Sequence, residues 1–219
     1  IRKYLEKFPV LALTGPRQSG KTTLLKSILP EYRYISLENP DMRDFATNDP
    51  NGFLKEFDAK VILDEVQQVP KLFSYLQTIV DEQKQMGQFI LSGSQNFHLM
   101  ERITQSLAGR VAMFKLFPFD FDELNSENLL EDDFIKAMIK GFYPAIFDRE
   151  IPPAKYHRNY IQTYIQRDVS GLMAIKDMRL FRNFLALCAD RSGQLLNLNA
   201  LAKDCGISQP TAKSWLSIL

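Results

Sequence analysis

The sequence predicts an α/β fold: a parallel sheet covered by helices, followed by an all-helical region. Three observations predict it. Short apolar runs alternate with helix-period stretches through residue 124, which is how a parallel sheet with crossover helices is written in sequence. The alternation stops after Phe117-Pro118-Phe119, and only helical patterns follow. A glycine-rich GxxxxGK[ST] segment, Gly15–Thr22, lies between an apolar strand and an apolar-periodic helix. At roughly 150 residues per domain, a chain of 219 residues has room for one full α/β core and a smaller module.

The elements follow in order. Strands are expected at 10–14, 32–37, 61–63, 89–92 and 111–116. Short, near-continuous apolar strands such as Val61-Ile62-Leu63 suit a sheet buried on both faces. Helices are expected at 21–29, at 42–57 with a break at Asn48-Asp49-Pro50, at 72–85 and at 97–107. Pro70 stands where the third can begin, and Met86-Gly87 stops it. Beyond 130, helices are expected at 131–140, 153–168, 177–190, 197–205 and 208–219. This gives a nucleotide-core domain at 1–124, a helical region at 125–190 and a helix-turn-helix-like element at 191–219.

Composition excludes several classes. With 45% hydrophobic and 24% charged residues the chain is ordinary globular protein. No apolar run approaches the roughly 18 residues of a membrane span, so no membrane partner is expected. Two cysteines without a CxxC, and two histidines far apart, give neither a disulfide framework nor a metal cluster. No secretory signal opens the chain, and a cytoplasmic location is the default. Ile1 in place of a Met, and Leu219 inside a predicted helix, point to a fragment. The net charge of +1 hides an asymmetry. Residues 1–150 hold 18 basic and 22 acidic side chains, whereas residues 151–219 hold 9 and 4. A basic C-terminal third admits an anionic partner, although solvated helix faces give the same count.

The loop's residue types match a chemistry. Its glycines let successive N–H groups turn inward around a phosphate, and the following helix points its positive dipole end there. Lys21 brings a mobile charge to the β/γ oxygens, and Thr22 a hydroxyl to Mg²⁺. The nucleotide-binding set is Gly15, Pro16, Arg17, Gln18, Ser19, Gly20, Lys21, Thr22 and Thr23. Val61-Ile62-Leu63-Asp64-Glu65 sets two acids at a strand's C-terminal end, where parallel sheets bind ligands. Asp64 would join Thr22 as the Mg²⁺ ligand, and Glu65 would polarise water. In Phe89–Gln95 another strand ends in small polar residues. Ser94 or Gln95 would sense the γ-phosphate there, though a plain strand-to-helix turn reads the same. In Leu107-Ala108-Gly109-Arg110, Arg110 is a candidate for stabilising transferred charge, on its own nucleotide or a neighbour's.

These motifs carry a resemblance. Taken as Gly15–Leu24, Leu63-Asp64-Glu65-Val66-Gln67, Leu91–Ser94 and Leu107–Arg110, and together with Phe117–Leu124, Gly141-Phe142-Tyr143-Pro144 and Tyr164–Val169, they make the chain resemble AAA-type ATP-binding proteins of bacteria and archaea with a C-terminal domain of unknown function. Those are similar to archaeal ATPases and to signalling ATPases with numerous domains. The resemblance implies a P-loop NTPase core of five strands, ATP and Mg²⁺ as ligands, and a winged-helix-like element behind. It implies Asp64 as metal ligand, Glu65 as catalytic base and Arg110 as an arginine finger. It matches Arg167 and Asp168 to a motif without a derivable role. ATP rather than GTP rests on the resemblance, since no NKxD is present.

Residues 198–216 read as a helix-turn-helix, with Gly206 at the turn, Ser208 as cap and Ala212, Trp215, Leu216 and Leu219 on the inner face. A DNA-reading version exposes Gln209, Thr211, Lys213 and Ser214. The expected function is a Mg-dependent ATPase whose C-terminal module couples nucleotide state to a partner, protein or duplex DNA. The alternative is a nucleotide-gated DNA-binding regulator with little hydrolysis. A small-molecule kinase fits less well, because no lid is legible. A homo-oligomer is left open.

Overall fold

The structure is a computed structural model that describes residues 1–94, 103, 105–164 and 177–217. By its internal contacts the chain forms two compact units, Ile1–Pro153 and Ala154–Leu219. Arg167, Asp168, Gln95 and most of the helix expected at 97–107 lie outside the described residues.

The first unit is built on five parallel strands: β1 (Val10–Gly15), β2 (Arg33–Ser36), β3 (Val61–Asp64), β4 (Phe89–Ser94) and β5 (Val111–Lys115). Their order is β2-β3-β4-β1-β5. β1 lies in register from Val10↔Phe89 to Gly15↔Ser94 on one side and from Val10↔Val111 to Thr14↔Lys115 on the other. Alternate side chains leave a strand on opposite faces, and both faces here are buried. Val10, Ala12, Val61, Leu63, Phe89 and Leu91 share one cluster; Leu11, Leu13, Ile62 and Ile90 share the other. That explains why these strands read as continuous apolar runs.

The α-helices of this unit with both ends among the described residues are α1 (Arg2–Leu5), α2 (Lys21–Ile28), α3 (Pro40–Asn48), α4 (Pro50–Glu56), α5 (Leu72–Gln83), α6 (Phe121–Ser126), α7 (Phe134–Lys140) and α8 (Pro144–Asp148). α2 covers one face through Leu25, while Phe53, Leu54, Phe73, Leu76 and Val80 of α4 and α5 cover the other. The expected break at Asn48-Asp49-Pro50 is a relay of caps. Asp49 closes α3, its carboxylate accepts from the Gly52 N–H at 2.9 Å, and Pro50 opens α4. The unit runs to Pro153, past the change of pattern at 120–130. The Phe119 N–H donates to the Phe142 carbonyl at 3.0 Å, and the Phe119 ring meets Phe147 edge-on.

The second unit contains most of α9 (Pro153–Tyr164), then α10 (Met178–Asp190), α11 (Leu198–Cys205) and α12 (Gln209–Leu216). Side chains of Asp177, Asn197 and Ser208 cap the last three. Trp215 lies edge-on to Phe181 and Phe184 at 5.2 and 5.5 Å, over Leu201, Ala202, Cys205 and Ala212. Gly206, at φ 71°, ends α11 in the left-handed conformation that glycine adopts at little cost. No helix among the described residues is long and apolar enough to cross a membrane.

Candidate functional site

The site lies at the C-terminal edge of the sheet, where β1, β3 and β4 end. Gly15 closes β1 at φ 155°, and a Cβ there would stand 2.0 Å from the Leu116 carbonyl oxygen. Only a residue without a side chain passes this point. Gly20 takes φ 93° directly before α2, a second position that L side chains rarely adopt. Between them Gln18 also has positive φ, 60°.

Lys21, the first residue of α2, is buried, and its Nζ donates back to the carbonyls of Gly15 at 3.0 Å and Pro16 at 2.7 Å. The ammonium thus sits in the hollow of its own loop. Burial pushes its pKa below that of an ordinary lysine, against the pull of Glu65 and Asp64. Ser19 is also buried, and its Oγ has no hydrogen-bond partner among the described residues. Among the described residues, a buried hydroxyl without a partner, an ammonium held by two carbonyls and two side-chain-free turns make a cradle that an anion fits.

Asp64 ends β3 and is the hub of the site. Its Oδ2 accepts from the Thr22 hydroxyl at 3.0 Å and the Tyr34 hydroxyl at 2.6 Å. Its Oδ1 accepts from the Ser92 hydroxyl at 2.5 Å and the Glu65 N–H at 3.1 Å. Four donors fix the carboxylate beside Thr22. A hydroxyl and a carboxylate oxygen so placed form a hard-oxygen pair suited to Mg²⁺. Burial, reinforced by the Asp64 hydrogen bond, pushes the Tyr34 phenol up to about 12, so it stays a donor.

Glu65 follows at φ 55°, a left-handed conformation uncommon for a non-glycine residue. Burial raises its pKa, the Arg17 charge opposes the rise, and Asp64 adds to it. Ser94 is buried at the end of β4, in register with Gly15. Of the expected set, the structure brings Gly15, Pro16, Arg17, Ser19, Gly20, Lys21, Thr22, Asp64, Glu65 and Ser94 together. Gln18 and Thr23 are exposed on the loop and on α2.

Arg110 is not brought there. It precedes β5, which runs parallel to β1, so it stands at the opposite edge of the sheet. There it pairs with Asp81 through Nε at 2.5 Å and Nη2 at 2.9 Å. The sequence assigns no role to Tyr34, nor to Ser92 and Gln67, although the last two stand within quoted motifs. Ser92 and Gln67 are polar side chains at or just beyond the end of an apolar run, whereas Tyr34 lies inside β2 and carries no such signal.

Comparisons with known proteins bear on the family and the fold. Residues 7–125, more than half of the chain, match the AAA domain family, and residues 131–219 match a domain of unknown function (DUF8612). The uncharacterized protein Rv2008c of Mycobacterium tuberculosis and the uncharacterized protein Mb2031c of Mycobacterium bovis are each 30% identical over 225 aligned positions. The alignments take in 100% of this chain and 49% of theirs, so the chain spans about half the length of these curated relatives. The Walker-type ATPase Paby2304 of Pyrococcus abyssi is similar in structure, with a TM-score of 0.62 and 17% identity. That likeness covers 100% of this chain and 86% of that one, and it shows a shared fold. With its glycine loop, its strand-end acids and its five parallel strands, the chain belongs to the AAA domain family and carries the DUF8612 domain behind that core.

Proposed function

We propose that the chain hydrolyses ATP with Mg²⁺ at residues 15–23, and that its C-terminal helices couple the nucleotide state to a partner. The observation that carries this reading is the Thr22–Asp64 hydrogen bond, 3.0 Å long, which ties the phosphate loop to the strand-end acid. Lys21 exchanges the carbonyls of Gly15 and Pro16 for β- and γ-phosphate oxygens. Thr22 and Asp64 hold the metal, which when bound neutralises charge on those oxygens. Glu65 takes a proton from water as the water oxygen bonds to the γ-phosphorus. The bond from that phosphorus to the β–γ bridging oxygen breaks, and ADP leaves with the electron pair. Ser94 donates its hydroxyl to a γ-phosphate oxygen. Arg110, at the far edge of its own sheet, serves as a finger only toward a neighbouring copy.

The helix-turn-helix reading of α11 and α12 supplies the coupling surface. Gln209 and Lys213 are exposed on α12, and Lys213 is the only basic residue of that helix. Duplex binding normally draws on several phosphate contacts, so a protein is the partner this face fits better. An ATP-driven site of this kind belongs in the cytoplasm.

The test is phosphate release with Mg·ATP, with and without duplex DNA, alongside equilibrium ATP binding. Glu65→Gln should lower turnover about 10²- to 10⁴-fold, the usual contribution of a general base, and retain ATP. Unchanged turnover removes Glu65 as the base. Salt-sensitive, nucleotide-dependent retention on DNA that Lys213→Ala abolishes replaces the protein partner with DNA.

A further inference from the structure

Gln67 takes no part in the hydrolysis proposed for Glu65 and Ser94, yet it touches both residues. It lies in the 3₁₀ turn Val66–Gln68 directly after Glu65. The left-handed Glu65 backbone folds the chain back, so the side chain two residues on returns over the Glu65 carboxylate. The Gln67 amide nitrogen donates to Glu65 Oε2 and also to the Ser94 hydroxyl oxygen, at 3.3 Å. An amide nitrogen has two hydrogens, and here each has its own acceptor.

The amide orientation follows from its neighbours. An ionised carboxylate only accepts, so the nitrogen and not the oxygen must face Glu65. The other half of the amide is left over: Oε1 is buried without a hydrogen-bond partner among the described residues. Buried polar atoms are nearly always paired. This side chain leaves its oxygen unpaired while both its hydrogens stay on Glu65 and Ser94. Ser94 is drawn in by sheet geometry. Asp64 pairs with Ser92, and β4 runs two residues further to Ser94, which points to the same face and lies beside Gly15 of the phosphate loop. Because the Ser94 oxygen accepts from Gln67, its hydroxyl hydrogen is free to turn toward a phosphate.

We propose that Gln67 is a positioning residue that links Ser94 to Glu65, so that contact of Ser94 with a γ-phosphate fixes the orientation of the Glu65 carboxylate. Gln67 touches neither nucleotide nor metal in this account. It acts through the two residues that it joins. The proposal rests on the reading of Glu65 as the base.

The experiment compares the wild-type chain with Gln67→Met, Ser94→Ala, the double variant and Glu65→Gln. It measures steady-state phosphate release over a range of Mg·ATP and equilibrium ATP binding. Gln67→Met keeps the length of the side chain and removes both N–H groups. It should lower kcat ten- to a hundredfold while KM and the ATP dissociation constant stay within about twofold of wild type. A residue that merely supports the fold would move binding and turnover together. If the two residues act as one link, the double variant is no slower than the slower single variant by more than about twofold. Wild-type kcat in Gln67→Met, or losses that multiply in the double variant while Glu65→Gln is inactive, overturns the link and leaves the ATPase reading standing. Full turnover in Glu65→Gln overturns both. A loss of ATP affinity in Gln67→Met that matches its loss of kcat reduces the residue to a structural one and also overturns the link.

Discussion

The two edges of the one sheet hold similar charges and use them differently. At the C-terminal edge Lys21 and Asp64 are buried, the lysine on loop carbonyls and the aspartate on three hydroxyls and an N–H, and both stand beside an acid whose pKa burial raises. At the N-terminal edge Arg110 and Asp81 form a closer, bidentate pair, but in solvent. There the pairing occupies both partners and leaves nothing poised toward this chain's own phosphate loop. Exposed pairs are also screened. Residue type and short distances therefore do not distinguish a site from a surface ion pair. Removal from water and incomplete satisfaction do. The strand direction decides which edge receives which, because loops at the carboxyl ends of parallel strands converge at one edge.

The glycines sharpen the contrast. Gly15→Ala should have the largest effect. Its Cβ meets a backbone oxygen at 2.0 Å, so β1 and the chain after β5 must move apart. A loss of about 1–3 kcal/mol is expected from such overpacking, together with weakened ATP binding. Gly109, next to Arg110, also has positive φ, 75°, but a Cβ there meets nothing within 4 Å. Gly109→Ala should cost about 1 kcal/mol, from backbone conformation alone, and leave ATP binding unchanged. Asp81→Ala should leave the melting temperature and ATP affinity where they are. Denaturant melts with parallel ATP titrations check all three. Equal losses at Gly15 and Gly109 would erase the distinction between the edges.

Much of this was legible because it is local. The loop 15–22 carries its own instructions: glycines at the strained positions, a lysine opening the helix, a strand before it. Asp64 and Glu65 followed from three apolar residues ending in acids. The share of Tyr34 and Ser92 in Asp64 was not legible, because it depends on which strands flank β3. Neighbours 30 and 28 positions away in sequence reach that carboxylate only after the order β2-β3-β4 exists. Gln67 was hidden differently. Its return to Glu65 needs a left-handed backbone at a glutamate, which no residue preference announces. Arg110 shows a signal present but underused: a residue before a parallel strand belongs to the edge away from the loop.

The most direct measurement is a calorimetric titration of Mg·ATP into the wild-type chain, Lys21→Ala and Arg110→Ala. Lys21 loses charge-assisted contacts worth about 1.5–3 kcal/mol each, so its variant should bind roughly 10- to 100-fold more weakly. Arg110→Ala should bind like wild type, because its side chain belongs to the other edge. Wild-type affinity in Lys21→Ala, or a comparable loss in Arg110→Ala, would contradict the assignment of nucleotide binding to the C-terminal edge.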